Sequence, residues 1–330
     1  MTRRSDDRRA AVLHALCAQH GGVSGETLAT ELGVSRVAVR KHVAALREQG
    51  YEIEARAGEG YRLVSRPDAP IPLEVRPLLH ESMYADLEGG RVTGSTNDDA
   101  RTLAVEGAPE GTVVLASQQA SGRGRLGRAW ESPVGGVYAS IVLRPEVETP
   151  EAIVLPLVVG LGVARGLESL GVSPLLKWPN DVLAADGRKI AGVLLEGLSE
   201  GWRIAWVVAG IGVNVTAVPP GQGAVGLDEL AGEHLPLARV AAAVLDAVAR
   251  AYQDWKANGF APSSTEYERR AWLAGREVTV RDAASRVIAA GPVRGIDAQG
   301  RLLVDTGEKV VPVAAGDVTL RDDASERPKR

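Results

Sequence analysis

Hydrophobic residues fall at two spacings along this chain, three to four apart in some stretches and alternating in others. The switches between the two mark its parts. RRAAVLHALCAQHGG (residues 8–22) has helical spacing and stops on glycines, and GETLATELG (25–33) is a shorter helix stopped by Gly33. Ser35 is placed to cap a third helix, RVAVRKHVAALREQG, which ends at Gly50. The spacing from Ala29 to Gly33 suits the tight turn of a helix-turn-helix, which needs a small residue and then one with positive φ. YEIEARAGEGYRL (51–63) then reads as two strands around Gly58-Glu59-Gly60, which would form a wing.

SRPDAPIP (65–72) carries three prolines and no hydrophobic period, so it reads as a linker. Beyond it strands and helices mix up to about residue 270. STNDDARTLAVEG (95–107) is a short helix, while residues 151–171 and 236–259 are long helices with apolar faces. GTVVLASQQ (111–119), VYASIVL (137–143), PLLKW (174–178), KIAGVLLEGL (189–198) and WRIAWVVAGIGVNV (202–215) read as strands. Short turns join several of them, so the sheet should be largely antiparallel. From EVTVRD (277–282) to VTL (318–320) the signals are all strand, and RDDASERPKR (321–330) is polar and expected to be disordered. The expected fold class is therefore α+β. Its parts are a winged helix-turn-helix at 1–64, a linker at 65–72, a main domain at 73–270, a small β-domain at 271–322 and a tail at 323–330.

Composition narrows the function. With 45% hydrophobic and 24% charged residues the 330-residue chain is an ordinary globular protein. Its formal charge of −4 excludes an overall basic nucleic-acid binder. Charge is uneven, however: residues 1–65 hold ten Lys/Arg against eight Asp/Glu, or +2, which leaves −6 for the remainder of the −4 total. The third helix carries Arg36, Arg40, Lys41 and Arg47 against Glu48 alone. DNA contact is thus expected from the start of that helix, at Ser35, Arg36, Val37, Arg40 and Lys41, the bland alternative being a winged helix used for protein contacts. The single cysteine, Cys17, leaves no room for a disulfide scaffold and fits a reducing cytoplasm. The most apolar run, IVLPLVVGLGVARGL, reaches Arg165 too soon to span a bilayer, so no membrane partner is expected.

Candidate chemistry centres on SGRGRLGRAW (121–130), where three glycines and three arginines interleave from Gly122 to Arg128. The letters satisfy G-x-G-x-x-G, yet Pro133, Gly135 and Gly136 follow and then another strand, where a dinucleotide site needs a helix. No Lys-Ser/Thr completes a P-loop, and the catalytic tripeptides of kinases are missing. What remains is the chemistry of the residues. Glycines let backbone amides approach an anion, and arginines supply forked donors for carboxylate and phosphate. That suits a carboxylate attacking a triphosphate, where two anions must be brought together. A basic, solvated surface loop is the alternative on this stretch alone.

Other motifs point the same way. Lys177 in KWPND stands at a strand end before a proline turn, and Gly210 and Gly212 in AGIGVNV lie two apart on one face of a strand. Glycine weakens a strand unless something must approach closely. Ser95, Thr96 and Asn97 read first as a helix cap and second as ligand contacts.

In combination, STN, QASGRGRLGRAW, KWPNDV with RKIAGVLLE, and VAGIGVNV resemble, in order and spacing, the family of bifunctional biotin protein ligases and biotin operon repressors. The resemblance covers nearly the whole chain. It implies a class II synthetase-like catalytic domain followed by a small SH3-like barrel. It also implies a reaction that joins biotin to ATP as biotinyl-5′-AMP and passes biotin to a lysine of a biotin carboxyl carrier domain. With the N-terminal module it implies repression of biotin genes by an adenylate-loaded homodimer on operator DNA. Residue by residue, Ser95, Thr96 and Asn97 match the biotin-ring segment. Gln119, counted back from Gly122, matches the biotin-binding glutamine, with Gln118 beside it as the alternative and Gly122, at the start of the loop, a further ligand position. Arg123 and Arg125, with Gly124 between them, match the loop that holds carboxylate and phosphate, and Lys177 the lysine at the reacting centre. Gly192, Gly210 and Gly212 match the floor under biotin, with Asn214 a further position. No acidic cluster announces a protein metal site, so Mg²⁺ is expected to arrive with ATP, and the loop is expected to order on the ligand. Two rivals stand beside this reading: a lipoate ligase, and a ligand-sensing transcription factor without catalysis.

Overall fold

The computed structural model describes residues 3–19, 22–56, 58–84, 86–216, 218 and 223–320, so the tail expected at 323–330 lies outside the described residues. Internal contacts divide the chain into two units, Met1–Ala69 and Pro70–Arg330, and the division falls inside the proline-rich stretch.

The first unit contains α1 (Arg3–Ala18), α2 (Gly25–Glu31), α3 (Arg36–Glu48) and an antiparallel pair, β1 (Glu52–Arg56) and β2 (Gly60–Ser65). Side chains of Ser24 and Ser35 accept from the amides of Thr27 and Ala38, at 2.9 and 3.2 Å, and so begin α2 and α3. Gly33 takes φ +60° in the turn between them. Val39, Val43 and Leu46 bury one face of α3, which packs against α1 and α2. Arg36, Val37, Arg40 and Lys41 fall on the opposite, exposed face.

The second unit begins with α4 (Pro72–Val75), β3 (Leu87–Thr93), α5 (Thr96–Val105), β4 (Val113–Gln119) and β5 (Gly136–Leu143). It continues through α6 (Leu155–Glu168), β6 (Leu175–Lys177), β7 (Asp181–Leu183), β8 (Lys189–Glu200) and β9 (Arg203–Asn214). Helices α7 (Leu227–Ala231), α8 (Leu237–Asn258) and α9 (Ala261–Arg269) follow. Seven strands form one sheet in the order β3-β4-β5-β9-β8-β7-β6, antiparallel except for the β3–β4 pair. Alternation along β9 sorts its residues between the two faces. Val207, Ala209, Ile211 and Val213 enter the main core with α6 and α8, while Val208 packs with Ala100 and Ala104 of α5 on the other side. The two long helices cross closely because Gly162 and Gly166 have no Cβ: one there would lie 2.6 Å from Val248 Cα or 2.7 Å from Val244 Cα.

The last strands, β10 (Glu277–Arg281), β11 (Val287–Ile296), β12 (Leu302–Asp305), β13 (Val310–Val313) and β14 (Asp317–Leu320), form a five-stranded antiparallel sheet where a small barrel is expected. It is fastened to the main sheet through Trp178, whose buried Nε1 donates to the Gly300 carbonyl at 3.0 Å.

Candidate active site

The site is built on the α5 side of the sheet, and strand register places its floor. Ser140, Gly210 and Leu194 lie side by side across β5, β9 and β8, and Tyr138, Gly212 and Gly192 form the next row. At both glycine positions of β9 a side chain of this chain fills the missing Cβ's place. Asn97 Oδ1 crowds the Gly210 position, and the Trp130 indole crowds Gly212, with Nε1 2.6 Å from where a Cβ would be. Gly192 meets the far edge of the same indole, at 3.0 Å. The close approach expected from the glycines is therefore made here by Asn97 and Trp130.

At the start of α5 a chain of polar groups runs through the buried interior. Ser95 is the N-cap residue, but its hydroxyl makes no cap bond. The Thr96 amide donates to Gln119 Oε1 at 2.8 Å, and Gln119 Nε2 donates to Ser132 Oγ at 2.8 Å. Ser140, with no exposed surface, reaches Thr96 Oγ1 at 2.7 Å and Asn97 Oδ1 at 2.6 Å. Gln118, by contrast, is exposed.

Residues 122–130 form a hairpin: the Trp130 amide donates to the Gly122 carbonyl at 2.9 Å and the Gly124 amide to Arg128 at 2.7 Å. A side chain at Gly122 would run into Trp130 O and Ser132 Oγ, so that glycine serves the packing of the hairpin base. At the tip, Leu126 takes φ 56° and Gly127 φ 74°. The loop, expected to order on a ligand, is anchored here by its own arginines. Arg123 pairs with Asp98 and Glu196, Arg125 donates to Asn180 Oδ1 and the Gly316 carbonyl at 3.1 Å each, and Arg128 pairs with Asp317. Burial holds the Arg125 pKa below the usual arginine range, while the Asp317 hydrogen bond holds that of Arg128 above it.

These elements enclose a cavity of about 460 Å³, lined by Ser95, Thr96, Asn97, Gln119, Arg123, Gly124, Arg125, Lys177, Gly192, Gly210 and Gly212. Trp130, Asn180, Asp181, Lys189 and Asp317 also line it, though none of them stands out in the sequence as a ligand contact. Lys177 has its Nζ 5.9 Å from the Trp272 ring centre and no carboxylate partner among the described residues. Lys189, in contrast, pairs with Asp181 at 2.6 Å and lies 4.9 Å from the Trp130 ring centre. Two expected positions stand apart from the cavity: Gly122, and Asn214, whose Nδ2 donates to the Lys189 carbonyl at 3.1 Å and joins β9 to the start of β8.

Comparisons with known proteins give the family of the chain. Residues 89–214 match the biotin/lipoate A/B protein ligase family, residues 8–62 a helix-turn-helix domain, and residues 274–321 the biotin protein ligase C-terminal domain. The bifunctional ligase/repressor BirA of Bacillus subtilis is 36% identical over 90% of this chain and 94% of its own length. That of Escherichia coli is 33% identical over 94% and 96%. Among solved structures, the biotin protein ligase of Aquifex aeolicus in complex with biotin and ATP superposes with a TM-score of 0.62. It is 31% identical, and the match covers 72% of this chain and 99% of that one. Similarity of this extent to bifunctional relatives shows that the chain belongs to the biotin protein ligase family, among its ligase/repressor members.

Proposed function

We propose that the cavity joins biotin to ATP and that the acyl-adenylate then serves two ends. In the first step a biotin carboxylate oxygen attacks the α-phosphorus and pyrophosphate leaves. In the second, the amine of a carrier-domain lysine attacks the acyl carbonyl, and AMP leaves. The observation that carries this reading is the pair Lys177 and Arg125, two cations facing one cavity without a carboxylate partner among the described residues. Such a pair can stabilise charge that builds on phosphorus-bound oxygens as the two anions meet. The same cavity offers hydroxyls and amides from Ser95, Thr96, Asn97 and Gln119, suited to a neutral polar ring system, together with Gly210, Gly212 and Gly192. Mg²⁺ would enter with the triphosphate, as part of the nucleotide substrate. No group of three or more His, Cys, Asp or Glu gathers as a metal cage among the described residues.

The acceptor is a biotin carboxyl carrier domain, and the N-terminal unit recognises operator DNA as a homodimer. Residues 1–64 read DNA, 73–270 carry the chemistry, and 271–322 close the site. No helix among the described residues is long and apolar enough to cross a membrane. A cytoplasmic location, where ATP is supplied, belongs to the same proposal. Biotin-dependent exchange of pyrophosphate into ATP tests the reading. Exchange with lipoate and none with biotin would overturn it, and no exchange with either would favour a sensor without catalysis.

A further inference from the structure

The arginines of the loop differ in what holds their charge. Arg125 donates to two neutral oxygens, and Asp317 and Asp181 act on its charge from a distance without an ion pair to it among the described residues. Arg123 faces two carboxylates: Nη1 donates to Asp98 Oδ2 at 3.1 Å, Nη2 lies 2.9 Å from Asp98 Oδ1, and Nη2 reaches the two Glu196 oxygens at 3.2 and 3.0 Å. Asp98 also pairs with Arg101 at 2.7 Å, so two guanidiniums and two carboxylates leave this group neutral. Partial burial works against the guanidinium's charge, yet the hydrogen bonds from Asp98 and Glu196 leave its pKa above the usual arginine value. A carboxylate or phosphate arriving at Arg123 would find its charge already neutralised and would have to displace ion pairs already made. At Arg125 it would displace none.

Glu196 has a second partner. Its Oε2 accepts from Asn97 Nδ2 at 2.8 Å, while Asn97 Oδ1 accepts from Ser140 Oγ at 2.6 Å. The Asn97 amide is thus fixed at both ends above Gly210. One carboxylate, on the same sheet face as the glycine floor, ties the cavity's Asn97 to the beginning of the loop.

We propose that Arg123 is an anchor of the loop and Glu196 a positioning residue. Together they fasten the hairpin to β8 and α5 and set Asn97, leaving the reacting anions to Arg125 and Lys177. The resemblance gives Arg123 and Arg125 one role; the geometry separates them. The inference rests on the ligase reading, which exchange by the wild-type protein tests independently.

The experiment is a double-mutant cycle of Arg123→Gln and Glu196→Gln, with exchange measured from low to saturating biotin and a melting curve for each variant. Each single change should raise the KM for biotin about tenfold, the loss of roughly one charge-assisted hydrogen bond, with kcat within about threefold of wild type. The double variant should be no worse than the poorer single one, because both remove the same link. Arg123→Lys should recover most of the loss. Asp98→Asn, on the other side of the guanidinium, should show the same split of KM from kcat and replaces Glu196→Gln if that variant does not fold. A collapse of kcat at saturating biotin in Arg123→Gln, or additive losses in the double variant, would overturn the proposal.

Discussion

Trp130 rests where Gly212 has no side chain: a Cβ at residue 212 would lie 2.6 Å from the indole nitrogen and 2.7 Å from Cε2. The indole N–H is buried and has no hydrogen-bond partner among the described residues. Because φ at Gly212 is not positive, alanine can adopt the strand backbone, so the conflict lies with Trp130 alone. Gly212→Ala should therefore push the indole out of its seat and lower adenylate formation about a hundredfold, as misplacement by about an ångström can. Cooperative melting should persist. An exchange assay beside a thermal melt checks this, and a wild-type rate would show that the seat of Trp130 is immaterial.

The backbone of Lys177 pairs with Asp181 across β6 and β7, but its side chain holds little that folding needs, its Nζ lying 5.9 Å from the Trp272 ring centre. In the role proposed for it, a fixed charge at the reacting centre, it should matter far more to rate than to stability. Lys177→Ala is expected to slow adenylate formation about a hundredfold to a thousandfold, the range seen when one preorganised donor to a developing charge is removed. The melting temperature should stay within a few degrees. Wild-type turnover would remove Lys177 from the chemistry.

Arg125→Gly should loosen the hold on the intermediate. The guanidinium links the loop to Asn180 on one side and to the Gly316 carbonyl on the other. Losing a desolvated charged hydrogen bond to the phosphate costs roughly 1.5–3 kcal/mol, or about one to two powers of ten in retention. Adenylate that escapes would acylate lysines of bystander proteins. Unchanged dissociation of the intermediate, followed by filter binding, would count against this role.

What the sequence could and could not disclose follows from how each group is placed. The helix-turn-helix was legible because caps such as Ser24 and Ser35 and the turn glycine Gly33 act within three or four residues. Lys177 and the glycines of β9 stood out as residue types that a buried strand or its end does not ordinarily favour. Ser140 and Glu196 did not, since a serine or glutamate in a strand is unremarkable until register sets it beside Gly210 or Val208. Gly316 and Asp317 were beyond reach: they meet Arg125 and Arg128 across about 190 residues of chain, and no local pattern records it. Trp130 stood in plain view within the loop motif, but its partner Gly212 is known only from the fold.

Away from the site, Glu266 of α9 accepts from Arg165 of α6 at 3.2 and 2.6 Å and from Arg270 at 3.2 Å. The Arg165 hydrogen bonds hold its carboxyl below the ordinary value of 4.5. A carboxyl depressed by folding adds stability that is present above its unfolded value and lost as pH falls through the folded one. Arg165→Met should cost about 1 kcal/mol near neutral pH, because Arg270 still holds Glu266. The gap from wild type should close as pH falls below 4.5. Melting curves across that range decide it; a gap that does not change with pH would place the cost in packing instead.

The exposed face of α3 gives the last prediction. Arg36 and Arg40 are one turn apart on the exposed face of α3, with Val37 and Lys41 beside them, while Val39, Val43 and Leu46 bury the other face. Ser35 caps this helix, so Arg36 sits at its N-terminus, the end that a recognition helix directs at base edges in the major groove. Arg36 pairs with Glu26 at 3.3 Å, but both side chains are 72% exposed, and such a pair yields readily to a phosphate or base. The module's net charge of about +2 allows only weak binding by one copy, because affinity grows with the phosphates neutralised. Two copies on two half-sites double those contacts. Binding to an inverted repeat should therefore be cooperative and should tighten when biotin and ATP are supplied together, since a ligand that favours the dimer must also favour the DNA complex. Arg40→Ala should weaken binding and flatten the salt dependence by about one unit of slope per subunit. Arg36→Ala should abolish specific binding and leave pyrophosphate exchange intact, as the residue lies in the unit that carries none of the cavity. Gel-shift titrations with and without the two substrates, at two salt concentrations, check all three. Binding that ignores ligand and salt, or loss of exchange in Arg36→Ala, would overturn this account of how the ligase reaches DNA.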